Sequence, residues 1–498
     1  MKVVSRFVRE QRRYTKNELR TTFAYDEEGV ERFIKNLKSY GVLKTVSNNK
    51  DQKEMTDLVD EDLVVVDETA GNDDCLYVFT YVGVITVGSR IAKVYPKYLL
   101  SPLCDEERGN QMKQIIKVLE RYSYSDEQII NLFNGDGDNR SFNILAVILF
   151  LLNDYHENGV YSNSEDIVEV NGEGPILWGK TIDESFALIE DDRPYYMELY
   201  TGKTVDDEMD YFKRLHECVL TECSRQLKEA QLDTLFEMEL AELSDEPLDN
   251  FGDRDYILNR IHGELNIQFN THRQILLKTL YTYIAQNKKM LEENQGISMY
   301  GTNAYHMVWE KACAQVFNNK LSTPLGQLPL SKPLSEKYSG QRKTKLIDII
   351  EKPEWHGSDM EKPKYASETL IPDLISVDNR NGVDYFIIFD AKYYNLQLAK
   401  DKDLRGNPGV SDVTKQYLYQ LAYRDFLKEQ CITKVKNCFL MPIEGDTVTI
   451  KGTARFPMLE ALGLENILIR QIPAERLYKC YLSRQSIDID DLALWENE

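Results

Sequence analysis

The sequence predicts a multidomain α+β protein, with a helical and β-rich N-terminal region, a helical middle and a C-terminal α/β domain. Three observations carry that prediction. The chain has 498 residues, more than one ordinary core accommodates. Its apolar spacing is helical at 26–40, alternating at 76–95 and helical again across most of 184–296. After 300 it changes to paired strands flanked by helices. The expected divisions are 1–70, 71–160, 161–296 and 297–498.

Thr15 followed by Glu18 has the form of a helix start. A second helix fits Asp26–Tyr40, with Val30, Phe33, Ile34 and Leu37 on one stripe and Gly41 as its stop. Val42–Val46 and Leu63–Asp67 read as strands. Two helices and two strands give this helical unit the outline of a winged helix, an outline shared by packing domains with no role on DNA. Leu76–Thr86 alternates, Gly88-Ser89 turns, and Arg90–Tyr95 returns to Pro96. Helices follow near 110–123 and 141–155. Asn171–Ile182 reads as a structured loop entering a strand, anchored by Trp178. The segment 184–296 reads as mainly helical, as at Tyr211–Leu227 and Thr271–Asn287.

In the last part a helix at Tyr305–Phe317 leads into a Lys/Pro/Ser-rich stretch, 331–345. Strands at 372–377 and 383–391, a Gly/Pro loop, a helix at 412–428, strands at 435–441 and near 466–471, and a helix at 474–482 complete it.

Bulk properties exclude several classes. The longest apolar stretch, Ile144–Leu152, is too short to span a bilayer, so no membrane role is expected. Eight cysteines without framework spacing suit a reduced cytoplasm, and the six scattered histidines form no ligand motif. The net charge of −22 is wrong for a protein that grips DNA unaided. Either nucleic acid is not its target, or a partner delivers it, or basic residues form a local patch. Residues 1–20 are basic, with Lys2, Arg6, Arg9, Arg12, Arg13, Lys16 and Arg20. Residues 233–255 carry nine acids against Arg254 alone, as expected of a solvated face or linker.

The chemistry centres on Pro372-Asp373 and Asp390-Ala391-Lys392. Side chains alternate along a strand, so Asp390 and Lys392 share a face. Phe386-Ile387-Ile388-Phe389 before them is apolar on both faces, the mark of a buried strand. Charges at its end are costly unless they are paired or used. A turn over Asp378–Gly382 returns Asp373 to the side of Asp390. Converging carboxylates raise a proton affinity or bind a hard cation, and a neighbouring lysine favours Mg²⁺ beside an amine that orients water and offsets charge. Glu310 has Cys313, Ala314 and Phe317 on its helical face and is expected to point inward as a third acid. Gln416 and Gln420 lie one turn apart on the helix after Lys392, with Gln420 preferred as the amide that supports it. The alternative is a structural ion cluster. Asp378 and Asp384 read as turn and surface residues. Lys332, Lys337, Arg342, Lys343 and Lys345 form either a phosphate-tracking patch or a solvated loop.

This constellation resembles the PD-(D/E)xK nuclease superfamily. Tyr81-Val82-Gly83-Val84-Ile85, Arg90-Ile91 and Val94-Tyr95-Pro96-Lys97 are similar to the N-terminal strand pair of McrC-type proteins, and Tyr419-Gln420-Leu421-Ala422-Tyr423 to the helix motif of their nuclease domains. Tyr95 departs from that pattern, which has an aliphatic residue before Pro-Lys. Asn171–Ile182 and Val308-Trp309-Glu310-Lys311 resemble the LlaJI-type restriction endonucleases. The resemblance runs from about residue 75 to the C-terminus, and its catalytic motif is moderately specific.

It implies a DNA-cleaving subunit of a McrBC- or LlaJI-like restriction complex, acting on double-stranded DNA with an McrB-like AAA+ GTPase. It also implies a metal site of Asp373, Asp390, the Ala391 carbonyl and Glu310, and 5′-phosphate products. The chain has no Gly-rich Lys-Ser/Thr phosphate loop, so nucleotide hydrolysis is expected of the partner. Two alternatives stay open: a stand-alone repair or recombination nuclease, and a non-catalytic adaptor that activates an AAA+ motor.

Overall fold

Short polar residues start the first two helices, as their spacing predicts. Thr15 and Glu18 form a reciprocal capping box on α1 (Lys16–Phe23). Asp26 accepts the Gly29 N–H at 2.7 Å to open α2 (Glu27–Ser39), which buries Val30, Phe33, Ile34 and Leu37. The structure is a computed structural model that describes residues 3–47, 75–124, 143–190, 193–206, 210–286, 297–358, 362–400 and 403–495. The expected strand Leu63–Asp67 lies outside the described residues.

The chain divides into two compact units. Met1–Arg140 and Met299–Glu498 make the first, and Ser141–Ser298 the second.

The first unit begins with β1 (Val4–Arg9), a strand absent from the helical reading of this segment. It is followed by β2 (Arg13–Tyr14), β3 (Leu43–Ser47), β4 (Cys75–Phe79), β5 (Val82–Val87) and β6 (Arg90–Tyr95). β1 pairs in parallel with β6, tying the expected helical unit to the expected β-rich one. Leu76–Thr86, expected as one strand, is two strands in different sheets. β4 joins β2 and β3, whereas β5 joins β6 and a later strand. The corner falls at Thr80, whose N–H and hydroxyl donate to the Val42 and Gly41 carbonyls. α3 (Asp105–Tyr124) follows.

The second unit contains α4 (Ile144–Asn158), β7 (Ser164–Val170), α5 (Trp178–Glu184), β8 (Ala187–Glu190), β9 (Arg193–Tyr196) and β10 (Tyr200–Asp206). Its helical remainder is α6 (Tyr211–Glu229), α7 (Asp233–Phe236), α8 (Arg254–Ile267) and α9 (Thr271–Gln286). Two expectations are corrected here. Trp178 is no strand anchor: it opens a helix and is 54% exposed. Residues 187–190, 193–196 and 200–206 are antiparallel strands rather than helix, because local pairing overrides a weak helical period. Glu246 in the acidic stretch is paired with Arg214 at 2.6 Å.

The first unit resumes with β11 (Ile297–Thr302), α10 (Tyr305–Val316), α11 (Glu336–Ser339), β12 (Glu354–Trp355) and β13 (Lys364–Tyr365). The elements that hold the candidate site come next: β14 (Leu374–Arg380), β15 (Val383–Ala391), α12 (Val410–Ala422), α13 (Arg424–Glu429), β16 (Lys434–Ile443), β17 (Thr449–Ala454), β18 (Ile467–Pro473) and α14 (Ala474–Ser483). Their mixed sheet has the order β14-β15-β16-β18-β17, parallel at β15/β16 and β16/β18 and antiparallel elsewhere. The polar edge strand β17, with its register shift near Gly452, was not expected. The expected helix 412–428 is broken at Tyr423, which is buried with its hydroxyl donating to the Leu346 carbonyl.

Helices cover both faces of this sheet. Phe317, just beyond α10, stacks on Phe389 at 5.4 Å, and Trp309 donates its indole N–H to the Leu440 carbonyl. On the other face Gln416 of α12 donates to the Ile388 carbonyl at 2.7 Å.

Candidate active site

The site begins with a turn. Asn381 and Gly382 have φ of +52° and +81°, the left-handed pair that a two-residue hairpin turn requires. The turn is therefore tighter than the Asp378–Gly382 loop expected, and Asp378 lies within β14, its carboxylate 2.6 Å from Arg380. The turn sets Arg380 opposite Val383 and Leu374 opposite Phe389. One step further, Asp373 meets Asp390.

Neighbouring backbone holds Asp373 there. The Ala391 N–H donates to Asp373 Oδ2 at 2.8 Å. Asn319 donates from Nδ2 to the Asp373 carbonyl, and its Oδ1 accepts the Leu321 and Ile375 N–H groups. The segment after α10 thus clamps the strand that carries Asp373.

Phe386, Ile387, Ile388 and Phe389 are fully buried, and Asp390 at their end is 4% exposed. Burial first, and then the charge of Asp373, push the Asp390 carboxyl up to about 8. Asp373 is raised in the same direction, by burial and then by Glu310. Each carboxyl acts on the other, so the pair holds a proton more tightly than either acid would alone.

Lys392 lies on the same side of the strand. Its Nζ is 2.9 Å from Asp390 Oδ2 and 2.9 Å from Asp412 Oδ1. Burial works against its charge, but the two carboxylates outweigh it and hold the amine as ammonium. It is therefore poorly suited to accept a proton and well suited to face an anion.

Asp412 was missed in the sequence. It lies at the N-terminus of α12, where an acid reads as a cap, and it does cap: its Oδ2 accepts the Gly409 N–H at 3.1 Å. The available signal was the spacing Asp412, Gln416, Gln420, a polar line on one helical face.

The preferred amide is corrected. Gln420 Oε1 accepts from Asn437 Nδ2 at 2.7 Å and from the Glu465 N–H at 3.1 Å, so it braces β16 rather than Lys392. Gln416 is nearer the chemistry. It is fully buried, its Nε2 donates to the Ile388 carbonyl, and its Oε1 has no hydrogen-bond partner among the described residues.

Glu310 is half-buried on α10, with Trp309 and Cys313 buried beside it. Burial and then Asp390 raise its proton affinity, while Lys392 lowers it. Its charge acts on the pair, yet among the described residues no three His, Cys, Asp or Glu side chains are gathered as a metal site. The structure thus offers a cation the Asp373–Asp390 pair, with Glu310 near it. Two buried carboxylates that share a proton are a donor set a hard divalent ion fits, because the ion replaces that proton and removes the repulsion.

The remaining candidates divide. Asp384, expected on the surface, is 8% exposed and accepts from the Ser331 N–H, the Ser331 hydroxyl and Asn379 Nδ2. Lys332, Lys337, Arg342, Lys343 and Lys345 are exposed, and Lys337 faces Asp425 at 3.2 Å. Part of the N-terminal basic run is paired locally: Lys16 and Arg20 with Glu27, and Arg12 with Glu18. Among the described residues no helix is long and apolar enough to cross a membrane.

Comparison with known proteins assigns a class and then a family. The model of a restriction endonuclease family matches residues 81–475. The chain belongs to that family, the LlaJI restriction endonucleases. The type II restriction enzyme BsuMI component YdjA of Bacillus subtilis (strain 168) is 28% identical over 426 residues, 84% of each chain. Among solved structures, one of McrB AAA+ hexamers with bound McrC from Thermococcus gammatolerans superimposes with a TM-score of 0.38. That match has 13% identity and covers 96% of this chain and 99% of the other. The McrBC complex of the same organism gives a TM-score of 0.26 at 14% identity, covering 62% and 85%.

Proposed function

We propose that this chain is the DNA-cleaving subunit of a restriction complex and hydrolyses phosphodiester bonds with Mg²⁺ at Asp373, Asp390 and Lys392. The observation that carries this reading is the buried Asp373–Asp390 pair with Lys392 Nζ 2.9 Å from Asp390. Membership of a restriction endonuclease family supports it.

Asp373 and Asp390 would hold the ion, with the Ala391 carbonyl and Glu310 as further donors. Bound there, Mg²⁺ supplies charge neutralisation at phosphate and a lowered pKa for a coordinated water. Lys392, kept cationic by Asp390 and Asp412, faces the phosphate and offsets the charge that develops on its oxygens. Glu310, whose proton affinity burial raises, would take up the proton released by water. Gln416 keeps β15 and α12 in register, so that Asp390 and Asp412 both reach the amine.

The relative from Bacillus subtilis is described as a component of its enzyme, which favours a chain that works with others. The partner we propose is a GTP-hydrolysing AAA+ protein of McrB type. The net charge of −22 agrees with a subunit brought to DNA rather than one that captures it.

The test combines the chain, the protein of its neighbouring gene, plasmid DNA, Mg²⁺ and GTP. Wild type should linearise or nick the plasmid, and Lys392→Ala and Asp390→Ala should leave it intact. Cleavage by both variants at the wild-type rate would remove the assignment. Cutting without GTP or partner would retain the chemistry and discard the motor.

A further inference from the structure

The chain that leaves β15 through Lys392 does not stop at the site. Tyr393 follows, on the opposite face by alternation, and its ring is buried against Tyr305 at 5.5 Å and Tyr98 at 6.2 Å. Its hydroxyl donates to Glu10 Oε2 at 2.6 Å. Glu10 is the residue that follows β1 and is 6% exposed. The same oxygen accepts the Lys97 N–H at 3.1 Å.

Lys97 completes a latch. It is 5% exposed, and its ammonium lies 4.8 Å from the centre of the Tyr393 ring and 5.6 Å from that of Tyr394. Its Nζ reaches Gln11 Oε1, and its carbonyl accepts from Asn395 Nδ2 at 3.0 Å. Residues at the exits of β1 and β6 therefore grip the three residues that follow the lysine.

A buried carboxylate and a buried ammonium are costly features for a packing contact between two sheets. Apolar side chains would serve packing alone. What the two polar side chains add is a fixed position for the backbone at 393, and with it for the side chain one residue earlier. Lys392 reaches Asp390 and Asp412 together, at 2.9 Å each, so the position of its backbone bears on whether the amine can hold both contacts at once.

We propose that Glu10 is a positioning residue for Lys392, acting through the Tyr393 hydroxyl, with Lys97 holding the ring from the other side. The effect on cleavage rests on the nuclease reading above, whereas the effect on Lys392 does not.

The experiment uses the full-length chain and three variants, Tyr393→Phe, Glu10→Ala and Glu10→Gln. An amine-acylating reagent is applied, and modification at each lysine is read by mass spectrometry. The exposed Lys343 is the internal reference. Lys392 should be protected in wild type and several-fold more reactive in Tyr393→Phe and Glu10→Ala. Glu10→Gln keeps an acceptor oxygen and should restore protection. Plasmid cleavage should fall about tenfold or more in the first two variants through kcat, with KM for DNA unchanged.

Unchanged Lys392 reactivity in a folded Tyr393→Phe chain overturns the proposal. That variant keeps the ring and decides the matter if Glu10→Ala fails to fold. If Lys392 is exposed in the variants but wild type cuts nothing in Mg²⁺ with its partner, the positioning stands and the nuclease assignment falls.

Discussion

Asp390 is the residue on which the site's acid–base behaviour turns. Its carboxyl titrates near 8 in the fold against an ordinary value near 4 in the unfolded chain. Between those values the folded protein binds more protons than the unfolded one. Metal-free stability therefore falls as pH rises through that window, with the full effect reached above the folded value. A divalent cation bound as proposed would take the proton's place, so its stabilisation should grow over the same range. Thermal melts from about pH 6 to about pH 9, with and without Mg²⁺, should show a widening gap that Asp390→Asn removes. A gap independent of pH would mean that the ion is held elsewhere. At this scale the sequence was informative where one strand supplies the geometry: Asp390 and Lys392 are two apart, and alternation alone puts them together. It was silent on Asp412, because an acid in a first helical turn is explained by capping, and the capping is real. It misplaced Gln420, since two amides one turn apart look alike until their partners are known.

Elements in this fold are registered by a few backbone positions. The turn at Asn381-Gly382 was visible as a turn, but not as one of two residues, because polar Asp378–Arg380 reads as loop while it in fact pairs with Val383–Tyr385. A similar device joins β5 to β11. Gly83 and Gly301 have φ of +140° and +150°, and a methyl group on either would meet a carbonyl of the other strand, Tyr300 O or Val82 O, at 2.1 Å. Gly83→Ala should cost about 2–3 kcal/mol, measured as a lower denaturation midpoint at unchanged slope. A smaller effect would show that the strands separate easily. Helices with a clean apolar stripe, such as α2 and α6, were legible within a residue or two. β1 was not, because its pairing partner lies more than eighty residues away in β6 and nothing local marks Val4–Arg9 as half-buried.

The whole molecule combines an acidic surface with a proposed anionic substrate. Exposed cations at 332–345 are few against 82 acidic residues, and Lys16 and Arg20 of the N-terminal basic run are neutralised by Glu27. The chain alone should bind duplex DNA no more tightly than about 10⁻⁴ M at physiological salt, the weak end of non-specific binding. Fluorescence anisotropy on a labelled duplex would show this, and a micromolar affinity would place the DNA grip in this subunit rather than in a partner. Composition made the charge problem plain, but whether the basic residues were available depended on ion pairs that only the folded chain displays.

Glu10 and Tyr393 are 383 residues apart in sequence. A ribosome therefore finishes the N-terminal strand long before the aromatic residue that docks on it exists. Until then the carboxylate has no Tyr393 hydroxyl to receive, and the contact that fixes the backbone after Lys392 cannot form. If the proposed nuclease reading holds, competence to break DNA would arrive late in biosynthesis, only after Tyr393 has been made.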